Sequence, residues 1–288
     1  MIRFLLSVAA LVALIQPQRG ADPFPLQISH RARALTPGEV VLVDVRSRTP
    51  LAEVQGEAFG QPITFYQTAP DHWQGIAAID LSTKPGKYTV RVKAGVGSGG
   101  QLTGTDPIGV AARSFPTRQL NVAEEFATPP KDVLARIERE RRAAEAIFAR
   151  ITPERYWIGS FVPPVPGTPT SSFGRRSIVN GEPRSPHSGT DFQAADGTPV
   201  VAPNRGRIAL AADQYFAGKT IIIDHGAGLY SYLAHLSEMS VRKGETVERG
   251  QKIALSGSTG RVTGPHLHWT LRVGKARVDP LSLIFVLR

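Results

Sequence analysis

A mostly β chain of two domains joined by one helix is what the sequence predicts, and three observations carry the prediction. The first is length: 288 residues exceed a typical single domain, and two domains of this size can each bury a core without staples. The second is a succession of short extended runs separated by Pro-Gly and Gly turn signals near both ends of the chain. The third is a single central stretch where the apolar period changes from two to helical spacing.

The first element is a leader. Arg3 precedes an apolar run from Phe4 to Ile15, the charged and hydrophobic segments of an export signal and too short for an ordinary membrane span. Cutting after Gly20 leaves Gln18 at the third position back, and cutting after Ala21 leaves Arg19, neither of them small. Residues 1–21 therefore read as a signal peptide or an uncleaved anchor. The chain is expected in the periplasm or cell envelope, secreted or membrane-anchored.

Residues 22–125 read as an immunoglobulin-like β-sandwich. "TPGEVVLVDV" and "KPGKYTVRVKAG" each place Pro-Gly before an extended run. In the second, Tyr88, Val90 and Val92 alternate with Thr89, Arg91 and Lys93, the period of a half-buried strand. His30 and His72 stand alone here and are expected to be structural or at the surface.

Residues 126–160 form the helical linker. Behind Pro129 and Pro130, Val133, Ile137, Ala144, Ile147, Phe148 and Ile151 recur at helical spacing among Arg and Glu, until Pro153. The charged face is expected in solvent and the apolar stripe on a neighbouring domain. Residues 161–288 return to turns and strands, among them "TPVVAP" and "KTIIIDHG", so the second domain is also mostly β. His225 is expected in a turn.

Composition excludes several function classes. The chain has no cysteine, which removes thiol catalysis, disulfides and cysteine-rich zinc sites. A net charge of +10 suits a polyanionic partner, but the basic residues are scattered among acids and the leader points away from nucleic acid. Carboxylate-bearing cell wall, teichoic acid or anionic lipid are the partners an exported chain would meet. Ala217–Thr220 ends like a phosphate-binding loop, yet Asp213 stands where that loop requires glycine and a strand follows, so no nucleotide is expected.

Two strings carry chemistry: His187 and Asp191 in "HSGTD", and His266 and His268 in "PHLHW". Surrounding Pro and Gly argue for extended chain, where residues two or four apart share a face, so each pair can point into one groove. Imidazole and carboxylate are zinc donors, and a catalytic site uses three of them and leaves one position open. The two strings offer three ligands and a spare histidine, with His235 beside them.

The last 130 or so residues resemble the lysostaphin-like (LytM-type) zinc metalloendopeptidases, which cut peptidoglycan peptide bridges. The matching blocks are "SSFGRR", "HSGTDFQAADGTPVVAP", "GLYSYLAHLS", "VRKGETVERGQKIALSGSTGRVTGPHLHW" and "VDPLSLI", in order. The resemblance implies an antiparallel β peptidase domain, zinc as cofactor, and His187, Asp191 and His268 as its ligands. It implies His266 and His235 as the catalytic pair, and peptidoglycan stem peptides and cross-links as substrate. Arg175 and Arg176 are expected to border the substrate cleft, with Arg176 the candidate for a stem-peptide carboxylate. "SGSTGRVTG" is expected to shape the groove rim. The N-terminal domain would position the enzyme on the wall, engage an envelope protein partner or restrain access to the groove. Some relatives keep the fold without catalysis and act as regulators of wall amidases. Such members lack ligands or catalytic histidines, and none is missing here.

Overall fold

"VVLVDV" is apolar on both of its alternating faces, a pattern that requires packing on two sides. In the computed structural model, which describes residues 26–97, 99–121, 128–171 and 173–288, this run becomes a strand between two cores. The leader, residues 1–21, lies outside the described residues. Among those described, no helix is long and apolar enough to cross a membrane.

Seven antiparallel strands form the N-terminal sheet: β1 (Gln27–Ala32), β2 (Val40–Arg46), β3 (Leu51–Ala58), β4 (Gln61–Ala69), β5 (His72–Ala78), β6 (Gly86–Val96) and β7 (Gln101–Val110). Their order is β1-β2-β5-β4-β3-β6-β7. Val41, Val43 and Val45 of β2 meet Val90, Val92 and Ala94 of β6 in one core, the alternation read from the sequence. Val40 and Leu42, facing the other way with Ile76 and Ala78 of β5, join the core of the C-terminal region. Each large aliphatic side chain buried there is worth roughly 1.5–3 kcal/mol. His30 pairs with Asp106, and His72 Nε2 lies 2.8 Å from Asp44, so neither is chemically alone.

After β7 the chain crosses over. Strand β8 (Thr117–Leu120) leaves the N-terminal sheet, and α1 (Leu134–Phe148) follows behind a short turn of 3-10 helix at Lys131–Val133. The helix sets Ala144, Ile147 and Phe148 on Ile222 and Tyr230, with Phe148 and Tyr230 edge to face at 5.6 Å. Its outer face carries Glu138 between Arg141 and Arg142, exposed pairs each worth a few tenths of a kcal/mol.

The C-terminal region comprises β9 (Pro169–Ser171), β10 (Arg176–Val179), β11 (Glu182–Pro183), β12 (Thr190–Phe192), β13 (Pro199–Val201), β14 (Gly206–Gln214), β15 (Gly218–Gly226), β16 (Leu229–Met239), β17 (Thr246–Val247), β18 (Lys252–Ser256), β19 (Leu267–Val273), β20 (Ala276–Val278) and α2 (Pro280–Val286). Ten of these strands form one antiparallel sheet with the central order β14-β15-β16-β19-β12-β9. The remaining pair, β10 and β11, makes a small sheet completed by β8, which runs parallel to β10. A strand from the stretch read as sandwich thus ends beside the C-terminal sheet.

Helix α2 locks the two regions. Asp279 caps it by accepting from the Leu281 amide at 3.0 Å, with Pro280 at the first helical position. Ser282 Oγ accepts from the Val40 amide at 2.9 Å, and Arg33 bridges Glu39 and Asp279. Beside it Arg277 reaches Asp80 at 3.0 Å. Burial alone would raise the Asp80 carboxyl, but the hydrogen bonds from Arg277 and Ser82 outweigh it and hold it far below the carboxylate range.

One expectation is corrected. His225 does not sit in a turn but inside β15, fully buried, because the strand runs on through Gly226 and the turn begins only at Ala227. Its Nδ1–H donates to the Arg205 carbonyl and its Nε2 accepts from Ser231 Oγ, both at 2.9 Å. Burial pushes this imidazole down to about 4.

Candidate metal centre

Strand pairing unites the two strings. Asp191 on β12 stands directly opposite His268 on β19, so the two side chains leave the sheet on one face about as close as cross-strand neighbours come. Their neighbours Phe192, Leu267 and Trp269 point the other way into the core. His187 arrives on the loop before β12, fixed by backbone bonds from its own amide to the Arg175 carbonyl and from the Gly174 amide to its carbonyl. Between His187 and Asp191 the chain presses against β19. A Cβ on Gly189 would meet the Trp269 carbonyl at 2.6 Å and His268 Nε2 at 2.7 Å, so only glycine admits that approach.

Three atoms converge as a result. His187 Nε2 lies 3.1 Å from Asp191 Oδ1 and 3.1 Å from His268 Nδ1, and His268 Nδ1 lies 2.8 Å from the same oxygen. Donors on a tetrahedral zinc with bonds of ~2.0–2.1 Å stand about 3.4 Å apart, so this nitrogen, oxygen and nitrogen set fits that ion. His268 Nε2–H donates to Thr270 Oγ1 at 2.8 Å, which fixes the ring and turns the Nδ1 lone pair toward the cluster. Burial by itself would raise the Asp191 carboxyl, but the His187 and His268 imidazoles against it hold it well below the usual range. It is an anion at any pH where a metal would bind.

Two further imidazoles border the cluster. His266 Nδ1 lies 2.9 Å from the Gly264 carbonyl and its Nε2 is 3.8 Å from Asp191. His235 Nδ1 lies 3.0 Å from the Thr259 carbonyl, and the two rings are 4.8 Å apart. Each Nδ1–H is tied to a carbonyl, which leaves each Nε2 as a lone pair able to take a proton. Burial, with added repulsion from neighbouring histidines, pushes His235 down to about 4. His235 also sits at φ 64°, a left-handed backbone that costs a non-glycine residue free energy and is held by the bond from its amide to the Ala217 carbonyl.

These groups open into a groove of about 1070 Å³. Its floor follows β19 through His268, Thr270 and Arg272, with Phe148 of α1 at the far end. One rim is the "GRVTGP" loop from Arg261 to Pro265, as read from the sequence, and the small sheet of β8 and β10 forms a wall. The groove takes Arg175 and not Arg176. Side chains alternate along β10, so Ser177 and Val179 share the side of Arg175 while Arg176 faces away and is exposed. Sequence reasoning also missed Thr270 and Gly189. Thr270 was accessible by the period of two that places residues 266, 268 and 270 on one face.

Comparisons with known proteins agree with this site. The profile of Peptidase family M23 matches residues 185–280, which include all four residues of the two strings as well as His235. Peptidoglycan DD-endopeptidase ShyA of Vibrio cholerae is 47% identical over 98 residues, 34% of this chain and 23% of that protein. The DD-carboxypeptidase/endopeptidase Mpg of Neisseria meningitidis is 40% identical over 97 residues, 34% of this chain and 22% of that protein. The aligned stretch thus spans less than a quarter of these curated relatives. A crystal structure from Pseudomonas aeruginosa assigned to peptidase M23 aligns over 88% of this chain and 96% of its own length, with 32% identity and a TM-score of 0.68. That likeness runs through both regions and not the C-terminal one alone, and it places the whole chain in peptidase family M23.

Proposed function

We propose that this chain is an exported zinc endopeptidase that hydrolyses peptide cross-links of bacterial peptidoglycan, its residues 161–288 acting as the catalytic unit. The observation that carries the reading is the convergence of His187, Asp191 and His268 on one point with the Nε2 atoms of His266 and His235 turned toward the same groove. The named activities of ShyA and Mpg support the substrate class.

His187, Asp191 and His268 would hold the ion. When bound there, zinc supplies Lewis acidity, which polarises a carbonyl and makes water a nucleophile near neutral pH. The protein's own groups move the protons. His266 Nε2 takes a proton from the attacking water and returns it to the departing amine. The transfer falls to His266 because it stands two residues from His268 on the same face, with its Nε2 3.8 Å from Asp191. Negative charge building on the carbonyl oxygen favours the protonated form of a neighbouring imidazole, so His235 Nε2 takes up a proton from solvent, hydrogen-bonds that oxygen with it, and gives it back when the carbonyl re-forms. The N-terminal sheet would position the enzyme on the wall, engage an envelope protein or restrain the groove.

Zinc analysis and digestion of purified sacculi, with and without chelator, test the reading. His266→Ala and His235→Ala should each keep the metal and lose at least ~100-fold in turnover. Intact digestion after metal removal, or loss of metal in both variants, would overturn it.

A further inference from the structure

Around the donor cluster the groove is strongly cationic. Arg118 on β8, Arg175 before β10, Arg184 after β11, Arg261 on the rim loop and Arg272 on β19 line it, while Asp191 is the one carboxylate among its described lining residues. Elsewhere arginines meet acids: Arg113 reaches Glu39, Arg205 reaches Glu248 and Arg277 reaches Asp80. Among the described residues, no ion pair engages Arg118, Arg175, Arg261 or Arg272.

Aromatic rings hold two of these guanidinium groups in place. Arg261 lies over Phe216 at 4.3 Å and Arg272 over Phe148 at 4.8 Å. Such stacking fixes a guanidinium and leaves N–H donors at its edge for an anion, although Arg272 Nη1 already donates one N–H to the Lys275 carbonyl at 3.0 Å. Loss of water and then the charge of Arg184 hold Arg261 below its ordinary value, the condition of a cation that lacks its counterion. The arrangement brackets the donor cluster. Arg272 shares the face of His268 four residues along β19, on the order of 13 Å at ~3.3 Å per residue. Arg175 and Arg184 flank the turn that leads into His187.

We propose that these arginines select the substrate by charge, binding peptides with free carboxylates on both sides of the bond presented to His187, Asp191 and His268. The inference deepens the endopeptidase reading and rests on it for the place of the bond. Guanidinium pairs with carboxylate in a two-pronged geometry, and in a groove whose one described lining carboxylate, Asp191, is engaged by His187 and His268 the pair is screened less than on open surface. A stem peptide containing γ-linked glutamate and a diamino diacid has the required charges. An uncharged bridge of glycine does not.

Binding measured without turnover tests this. The full chain, loaded with zinc, is titrated with a fluorescein-labelled tripeptide containing γ-linked glutamate and a diamino diacid, and with the same peptide amidated at every carboxylate. The acid form should bind about 100-fold more tightly, and Arg261→Gln and Arg272→Gln should each forfeit about tenfold on the acid form and nothing on the amide. Arg242→Gln, an exposed arginine outside the groove, should change neither. If Arg272→Gln fails to fold because its ring contact is lost, Arg175→Gln takes its place. Equal affinity for the two peptides overturns the proposal, as does an equal loss in Arg242→Gln, which would trace binding to the overall +10 charge. Preference for the acid peptide with undigested sacculi would leave the proposal standing and defeat the hydrolase reading.

Discussion

In the N-terminal sheet His72 Nε2 lies 2.8 Å from Asp44 and His30 pairs with Asp106, while in the C-terminal sheet His187 and His268 lie 3.1 and 2.8 Å from Asp191. All four histidines have a carboxylate at hydrogen-bond distance. The difference is in how many elements reach one face. His72 and Asp44 are diagonal neighbours on two adjacent strands, and the nearest further polar group on Asp44 is Gln74, a poor metal donor. Asp191 and His268 are also cross-strand neighbours, but a third element, the loop carrying His187, folds over them through the gap left at Gly189. A His–Asp pair stays an ordinary sheet contact until a loop delivers another donor to it.

The sharpest way to break the comparison is Asp191→Ala, which takes one of the three donors. Zinc content should fall from near one per chain to background, an affinity loss of more than ~100-fold, with far-ultraviolet dichroism unchanged. Retention of the ion in that variant would mean that the cluster is no more than another His–Asp contact. Next is Thr270→Val, which removes the acceptor that orients His268. Competition against a chelator should report metal binding weakened by about 10–100-fold, and no change would show that packing alone sets the ring.

His225 sharpens the comparison from the side of stability, being a C-terminal histidine without a carboxylate. The unfolded imidazole takes its proton near 6.5, but the buried one holds out until about 4. Between those values the unfolded chain binds more protons, so stability falls as pH drops through the window, by about 3 kcal/mol in total. Above it the contribution is complete. Denaturant unfolding followed against pH should show that fall in the parent chain and a shallower one in His225→Gln; parallel curves would contradict it. The smallest effect belongs to His72→Gln, expected to cost under ~1 kcal/mol and to leave zinc content unchanged. A variant that lost metal would place a second binding role in the N-terminal sheet.

Much of the fold was legible because its signals are local. The alternation in β6, the helical spacing from Ile137 to Phe148 and the Pro-Gly entries into β2 and β6 each depend on neighbours in the chain, although Ile151, read as part of that spacing, lies beyond the end of the helix. His225 was misread because an "IDHG" string looks like a turn when the buried partners, Arg205 and Ser231, cannot be seen. Arg176 was preferred to Arg175 because only the register of β10 against β8 decides which of two adjacent side chains faces the groove. The course of β8 was equally out of reach, since parallel pairing with a strand 59 residues later leaves no local mark.

What the sequence determined by itself was the kind of chemistry available: imidazoles and carboxylates at strand spacing, no thiols, and strands rich in Gly and Pro to hold them. Donor type and face are properties of short segments, so they can be read in one dimension. The tertiary structure alone decided that Asp191 lies opposite His268, that Gly189 lets the His187 loop close over them, and that the arginines gather around a groove whose one described lining carboxylate is Asp191. Those outcomes are set by pairing between distant strands, where one residue of register moves every side chain to the other face.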